Sequence, residues 1–305
     1  MNNQNDMRKY PVYATDLKHK NLRNIDPKKS IWCGENTEHD FYNKDYDTLE
    51  HRINECISVE YKYLDLSNLN LNRIPIQELK KHKNFDKISN ILYLFIDNNN
   101  IEVCLDELLY FKNLEALDIS HNKLTEIKYI PDKLKEFSCY NNHLKSLPDS
   151  NSVEKLDCSD NKLSSLPKMD NILDIICYNN YINEIKTFPK INKIVCKNNP
   201  IIKIYEQPKL EHLDCSMCGL KGALKNLPNL AYLICNNTNV DTIENLSSLK
   251  TLEMFDSKIN KLPYISTLED LMFSRNQDIS IHTKYEVDFH INENNNCFVR
   301  FKKSS

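Results

Sequence analysis

Six cysteines recur along the middle of the chain at a nearly constant interval. They stand at positions 139, 158, 177, 196, 215 and 235, so the steps between them are 19, 19, 19, 19 and 20 residues. Neither a helix nor a hairpin produces so long a period, which is the length of a supersecondary unit that stacks on copies of itself. The chain is therefore predicted to fold as a solenoid of stacked repeats.

A common frame of apolar residues surrounds these cysteines. In the first four of these repeats it reads apolar-x-x-apolar-x-Cys-x-x-Asn, as in the stretches from Leu134 to Asn142 and from Val153 to Asn161. The frame continues in both directions with Leu, Ile, Met or Phe at the Cys position, which makes eleven copies in phase from about residue 61 to 281. The alternation within each copy predicts a short strand with one apolar face, and successive strands are expected to lie side by side in a parallel sheet.

The frame resembles the leucine-rich repeat, and the chain is identified as a member of that superfamily on all eleven copies. The 19-residue unit with Leu-Pro after the frame, as in Leu147-Pro148, is similar to the short-repeat class of bacterial effectors and of giant-virus and protist proteins. The resemblance implies a leucine-rich repeat solenoid of the α/β horseshoe type, with a parallel concave sheet of about eleven strands, mostly extended convex returns and capped ends. Only the two longest repeats have room for helices, at about Ile76 to Phe85 and about Asp106 to Phe111.

The pattern divides the chain into four segments. Residues 1–44 are polar with scattered aromatics, and either disorder or docking of Trp32 on the solenoid end fits them. Residues 45–60 carry apolar residues at helical spacing and predict an N-terminal cap helix. Residues 61–281 are the repeats, and residues 282–305 predict a C-terminal cap hairpin whose first strand adds a degenerate twelfth repeat.

The cysteine column is open to four interpretations: a disulfide ladder, a row of metal ligands, a redox relay or simple packing. Leu66, Ile96 and Met254 hold the same frame position in other repeats and can serve only the last, so the thiols are predicted to be reduced and packed in the core. Cys215-x-x-Cys218 has the spacing of half a zinc site, but both residues fall on frame positions and no second pair lies nearby. We expect no metal and no cofactor.

A column of asparagines closes the frame, and its members are Asn99, Asn122, Asn142, Asn161, Asn180, Asn199 and Asn276. The resemblance implies that these amides tie neighbouring turns together. Cys218, Thr238 and Ser257 replace them in three consecutive repeats and predict a weaker connection there. Because the chain contains only three glycines, asparagine is also expected to occupy the left-handed turn positions.

The composition limits which classes of partner and which cellular compartment are expected. The formal net charge is −3 and no basic stripe is visible, so neither nucleic acid nor an anionic membrane is expected as a partner. No apolar leader or membrane-spanning run is present, and eleven cysteines suit a reducing compartment. The expected location is the cytoplasm, or a host cell if the source is a virus or an effector-secreting bacterium, and a monomer is expected.

The sheet positions that face solvent carry more apolar or ring-bearing side chains than a solvated strand needs. These residues cluster over the central and later repeats and are Tyr140, Ile176, Tyr178, Val195, His212, Tyr232, Ile234, Phe255 and Met272. Apolar patches with polar rims mark partner surfaces, although β-propensity alone also favours Ile, Val and Tyr in strands.

These observations favour a non-catalytic scaffold that binds a protein or peptide on the concave face. No phosphate-binding loop and no catalytic combination of Ser, His and Asp or of Cys and His falls outside the repeat frame, so an enzyme is not expected. The alternative is a substrate-recognition adaptor of a ubiquitin-ligase-type or signalling complex whose catalytic part is on another chain. The resemblance motivates that alternative, because in some bacterial effectors similar repeats precede a ubiquitin-ligase domain.

Overall fold

The computed structural model of the chain describes residues 48–102, 106–293 and 296–302. The predicted polar segment 1–44, with Trp32, lies outside the described residues. The described part is a stack of repeats joined by one thirteen-stranded sheet, in which eleven strands are parallel and the last two form an antiparallel hairpin.

Each repeat contributes one short strand to the parallel part of the sheet, and we number the repeats 1 to 11 by these strands. In order they are Tyr63–Asp65, Tyr93–Phe95, Ala116–Asp118, Glu136–Ser138, Lys155–Asp157, Asp174–Ile176, Lys193–Val195, His212–Asp214, Tyr232–Ile234, Thr251–Glu253 and Asp270–Ser274. Neighbouring strands pair in phase with the frame, so Leu64 lies opposite Leu94 and Leu94 lies opposite Leu117. The prediction of a parallel sheet of about eleven strands is confirmed.

The core lies behind the sheet, where two columns of side chains pack together. They come from the second residue of each strand and from the residue two positions further on. In repeat 5 these are Leu156 and Cys158, both fully buried. All six cysteines of the column are free thiols and fully buried, which confirms that they act as small apolar core residues.

The asparagine column forms a hydrogen-bonded spine along the edge where the chain leaves each strand. Asn161 donates from Nδ2 to the carbonyl oxygens of Cys139 and Cys158 at 3.0 and 3.2 Å, and its Oδ1 accepts the backbone N–H of Leu144 at 3.0 Å. One buried amide thus satisfies backbone groups of two successive repeats. The residues that make equivalent bonds to the preceding repeat are Asn99, Asn122, Asn142, Asn180 and Asn199.

The spine changes after repeat 7. Cys218 donates its Sγ–H to the carbonyl of Cys196 at 3.4 Å, and Thr238 donates from Oγ1 to a carbonyl of its own repeat at 2.8 Å. Asn276 was expected to resume the column, but it is exposed, and Gln277 instead donates from Nε2 to the carbonyl of Ile259 at 2.9 Å. The assignment of Asn276 is therefore wrong, because the longer strand of repeat 11 shifts the following turn by one residue.

The residue before each spine position adopts the left-handed conformation in repeats 2 to 10, with φ between 50° and 54°. Asparagine, aspartate or histidine holds this position in all of these repeats but one, as expected for residues that tolerate the conformation. The exception is Met217, with φ of 53°. Its side chain has no polar atom that could stabilise the turn.

The returns on the other side of the core are mostly extended. Short parallel pairs join Glu184–Ile185 to Lys203–Ile204, Lys221–Leu224 to Asn239–Ile243, and Lys261–Leu262 to Ser280–Ile281.

Helices occur in the first two returns at about the predicted positions, but their form differs from a single α-helix in each. The first return contains two short helices, Ile76–Lys80 and Phe85–Ile88, in place of one, because the polar residues between them turn the chain so that both helices bury apolar side chains. The second return contains a 3₁₀ helix, Asp106–Tyr110, which spans more length per residue than an α-helix.

The helix Leu49–Ser58 packs on the first strand. Thr48 caps it by accepting a backbone N–H of the first turn on Oγ1 at 3.2 Å. Ile53 is buried in the core, and Arg52 is buried too, because its guanidinium pairs with Asp65 at 2.8 Å. Among the described residues, no helix is long and apolar enough to cross a membrane.

A hairpin of the strands Val287–Glu293 and Asn296–Phe301 ends the sheet. Its second strand pairs antiparallel with Asp270–Ser274, and its first strand lies outside the second. The expectation that the first strand adds a twelfth repeat is therefore wrong. The two strands of a hairpin run antiparallel. The second strand therefore returns along the last repeat and lies between it and the first strand of the hairpin.

Candidate interaction surface on the parallel sheet

The solvent side of the parallel strands, which we call the sheet face, consists of three columns of side chains. The first column holds the first residue of each strand, and the second column holds the third residue. The third column holds the residue two positions after that. In repeat 5 these are Lys155, Asp157 and Ser159. The opposite faces of the same strands form the core, so this surface is held by a rigid, in-phase backbone.

The predicted binding residues all lie on the sheet face, but their side chains are less exposed than they would be on an isolated strand. Tyr232 is 36% exposed and Val195 only 7%. The other seven are half-buried, namely Tyr140, Ile176, Tyr178, His212, Ile234, Phe255 and Met272. Strands about 4.8 Å apart let long neighbouring side chains cover short ones. The larger rings therefore offer most of the accessible apolar surface.

The structure brings some of these residues together and separates others. Ile176 lies directly opposite Val195 on the neighbouring strand. The next repeat places the acid Asp214 between Val195 and Ile234. Glu253 then separates Ile234 from Met272 in the same column. The predicted cluster is thus a series of small apolar groups divided by carboxylates.

Two rings of the cluster form a stacked pair. The rings of His212 and Tyr232 lie parallel within 1° with their centroids 4.4 Å apart. Burial, together with the charge of Lys193, lowers the pKa of His212, so the imidazole that stacks on the tyrosine is neutral near pH 7. The pair forms a flat, partly exposed aromatic platform on repeats 8 and 9.

Tyr140 and Tyr178 are tied to polar neighbours. The Tyr140 hydroxyl lies 2.9 Å from Nε2 of His121, and Nζ of Lys197 lies 5.2 Å from the ring centroid of Tyr178. Burial raises the pKa of both tyrosines, and nearby aspartates raise it further, so both remain neutral hydroxyls near pH 7.

The sheet face of the earlier repeats is acidic, a feature that the sequence analysis missed. Asp97, Asp118 and Asp157 are all buried there. The signal was visible as a recurring Asp-x-Ser, in which the serine N–H donates to the aspartate Oδ1 at 2.9 Å in repeats 1 and 3, 3.0 Å in repeat 5 and 3.1 Å in repeat 8. Burial raises the pKa of Asp157 to about 6, against the hydrogen bonds from Ser159.

Two strongly exposed apolar side chains lie on the turns, beside the sheet face. Tyr181 is 63% exposed and Met217 56%, and both line a groove with the spine amides of Asn180 and Asn199. Within the part of the chain that the structure describes, no group of three or more His, Cys, Asp or Glu residues could hold a metal ion.

Comparisons with known proteins agree with this architecture. The family model described as Leucine Rich Repeat matches residues 113–131. Human oligodendrocyte-myelin glycoprotein is 30% identical over 103 residues, which are 32% of this chain and 21% of that protein. The chain therefore spans about a fifth of the length of this curated relative.

Solved structures extend the likeness over most of the described repeats. YopM from Yersinia enterocolitica aligns with a TM-score of 0.56 and 22% identity, over 73% of this chain and 58% of that one. The leucine-rich repeat domain of APL1B aligns with a TM-score of 0.61 and 18% identity, over 75% and 72%. At such identities the structures support the fold and carry no residue-level role to this chain.

Proposed function

The chain is a leucine-rich repeat protein, similar to those of bacterial effectors, and we propose that it is a non-catalytic scaffold that holds a protein or peptide on its sheet face. Leucine-rich repeat proteins generally act as scaffolds for protein–protein interaction. The observation that carries the proposal is the aromatic platform of His212 and Tyr232, which occupies positions where the repeat frame requires no apolar side chain. Aromatic rings at such positions are typical anchors of an interface.

The remaining predicted residues surround this platform. Tyr178 and Phe255 offer half-buried rings on either side of it, and Ile234 lies beside it on the strand of repeat 9. The acids between the apolar groups give the surface polar contacts that fix the register of an extended ligand. We place the protein in the cytoplasm or a host cell, as a monomer without nucleic-acid or membrane partners. In a narrower form of the same proposal, the chain is the substrate-recognition subunit of a complex whose catalytic part is on another chain.

The test starts from a partner identified by affinity capture on the chain of 305 residues and confirmed by direct titration. Tyr232→Ser should then weaken the interaction at least about tenfold, as loss of an anchor does. Tyr181→Ser is the matched control, because Tyr181 is a more exposed tyrosine on the turns and outside the sheet face.

Equal losses from both variants, or loss from Tyr181→Ser alone, would move the binding site to the turns. Reversal of charge at Lys168 or Lys186, which are exposed on the returns, should leave the affinity unchanged. A photo-reactive residue introduced at 232 should cross-link the partner, whereas one at 181 should not.

A further inference from the structure

The first column of the sheet face carries a row of alternating charges that runs up to the aromatic platform. In repeats 4 to 7 the column contains Glu136, Lys155, Asp174 and Lys193. Each lies directly opposite the next on the neighbouring strand, and Nζ of Lys155 lies 3.1 Å from Oε1 of Glu136. Opposite charges at such cross-strand positions stabilise each other, so the order of charges along this column is favourable.

The alternation stops at Lys193. Lys155 lies between two acids of the column, whereas Lys193 lies between Asp174 and the ring of His212. Burial lowers the pKa of Lys193, and the charge of Asp174 offsets only part of that effect. A second anion beside the amine would favour its charged form further. The place where the next acid of the row would stand is in repeat 8, beside His212.

A cation is the strongest charged neighbour of the platform. Of the charged groups that act on the ring of His212, Lys193 has the largest effect, ahead of Glu211 and Asp174. The neutral imidazole carries one N–H donor, and protonation adds a second donor and a positive charge. A carboxylate accepts hydrogen bonds from an amine and from an imidazole alike, and such charge-assisted bonds are strong.

These groups can be reached from solvent. Tyr232 is 36% exposed, and Lys193 and His212 are half-buried on the sheet face. The strands of repeats 7, 8 and 9 are neighbours, so a ligand group beside the imidazole lies within one strand spacing, about 4.8 Å, of both the amine and the phenol ring. The surface thus combines an open approach, a cation and an apolar ring in one place.

We propose that Lys193 and His212 form the subsite for an acidic side chain, an aspartate or a glutamate, of the peptide that the sheet face binds. The inference rests on the proposed function and specifies the chemistry of the ligand. The carboxylate of the ligand extends the row of alternating charges by one member, and the ring of Tyr232 packs against an apolar residue next to the acid. A basic side chain at the same place would meet Lys193 as a like charge.

The test uses the chain of 305 residues and a displayed library of random linear peptides, each fused to its carrier at the C-terminus so that its carboxylates are those of side chains. Peptides selected on the wild type should share an aspartate or glutamate at one position, and that bias should disappear when the selection is repeated on Lys193→Met. A selected peptide should bind Lys193→Met at least about tenfold more weakly, as expected for loss of a charge-assisted contact. The same peptide with Asn or Gln in place of the acid should bind the two proteins equally.

Two matched variants separate the subsite from a general effect of charge or of folding. Lys155→Met removes an amine from the same column at a position that already lies between two acids, and it should keep the bias and the affinity. Lys193→Arg keeps the charge at the subsite and should also keep the acidic bias. Equal weakening by Lys155→Met, or loss of the bias in a folded Lys193→Arg, would refute the subsite. A lower melting temperature of Lys193→Met with unchanged affinity would show that the amine serves the fold, and would overturn the inference.

The pH dependence of binding tests the role of His212. A carboxylate bound beside the ring favours the imidazolium, whereas the acid of the peptide itself stays ionised above about pH 5. A selected peptide should therefore bind at least about threefold more tightly at about pH 5.5 than at about pH 7.5, and His212→Gln should lose that difference. The comparison with His212→Gln cancels the effect of other groups that titrate in this range, such as Asp157. The same pH dependence in both proteins would overturn the assignment of His212 to the subsite.

The same selection distinguishes this inference from the function beneath it. Peptides that bind through Tyr232 but carry no acidic residue, or that bind Lys193→Met equally well, would refute the subsite and leave the sheet-face scaffold intact. Selection of a basic residue that depends on Asp174 would do the same. Failure to select any peptide that depends on sheet-face residues would count against both.

Discussion

Met217 is the position where a single substitution should stabilise the protein. It holds the left-handed conformation, with φ of 53°, where an ordinary residue costs about 1–2 kcal/mol. Asparagine relieves part of that cost, and in the preceding repeats the amides form a ladder, with Asn198 Nδ2 donating to Asn179 Oδ1 at 2.6 Å. Met217→Asn would extend this ladder by one exposed hydrogen bond, worth about 0.5 kcal/mol or slightly more.

The cost in stability of removing the methionine side chain should be small, because Met217 is 56% exposed. The sum of these effects is a gain of about 0.5–1.5 kcal/mol in the free energy of unfolding. Urea titration followed by circular dichroism measures it as a higher midpoint at constant slope. The matched control is Asn198→Met, with the same φ of 53° one repeat earlier, which should shift the midpoint by a similar amount in the opposite direction. A destabilised Met217→Asn, or an unaffected Asn198→Met, would refute the argument from backbone strain.

The remaining predictions concern the core, the spine, the thiols and one buried acid. Leu156→Ala removes a fully buried side chain and should cost about 2–5 kcal/mol of stability in the same titration, whereas Tyr178→Ala on the sheet face should cost far less; similar losses would invert the two faces. Asn161→Ala leaves the buried backbone N–H of Leu144 unpaired and removes one of the two amide bonds to each of the carbonyls of Cys139 and Cys158; it should cost about 1–3 kcal/mol, with faster hydrogen exchange in repeats 4 and 5 as the local readout. The six core cysteines should react with a thiol reagent only after denaturation, because burial raises the pKa of each thiol, that of Cys158 among them, and keeps the reagent away from the sulfur. Rapid labelling of the native protein would contradict this. Burial raises the pKa of Asp157 from 3.8 to about 6 in the folded state, so its stabilising contribution is full below the unfolded pKa and is lost as the pH rises through the folded one. The free energy of unfolding of Asp157→Asn relative to that of the wild type should therefore rise by on the order of 2 kcal/mol between pH 4 and pH 7. A difference between the two proteins that does not change with pH would refute the raised pKa of Asp157.

The repeat period was sufficient to predict the parallel sheet, the core columns and most of the spine. In a solenoid each unit contacts mainly its sequence neighbours, so a fixed offset such as that between Cys139 and Cys158 is also a fixed step in space. The same logic identified Asn161 as a spine residue and Leu156 as a core residue. It failed at Asn276, because the strand of repeat 11 is lengthened by a partner outside the repeat pattern.

The accessibility and electrostatics of the sheet face depend on side chains from three or more strands at once, and no single repeat encodes them. Val195 and Tyr232 both read as surface residues, but the closely spaced neighbours of Val195 cover it while the larger ring of Tyr232 remains accessible. Ser138 reads as an ordinary solvated serine until the register places it between Asp118 and Asp157. Sequence thus determined which face each residue takes, through a period set by local backbone geometry, and the tertiary structure determined which of those residues are accessible and which charges are buried together.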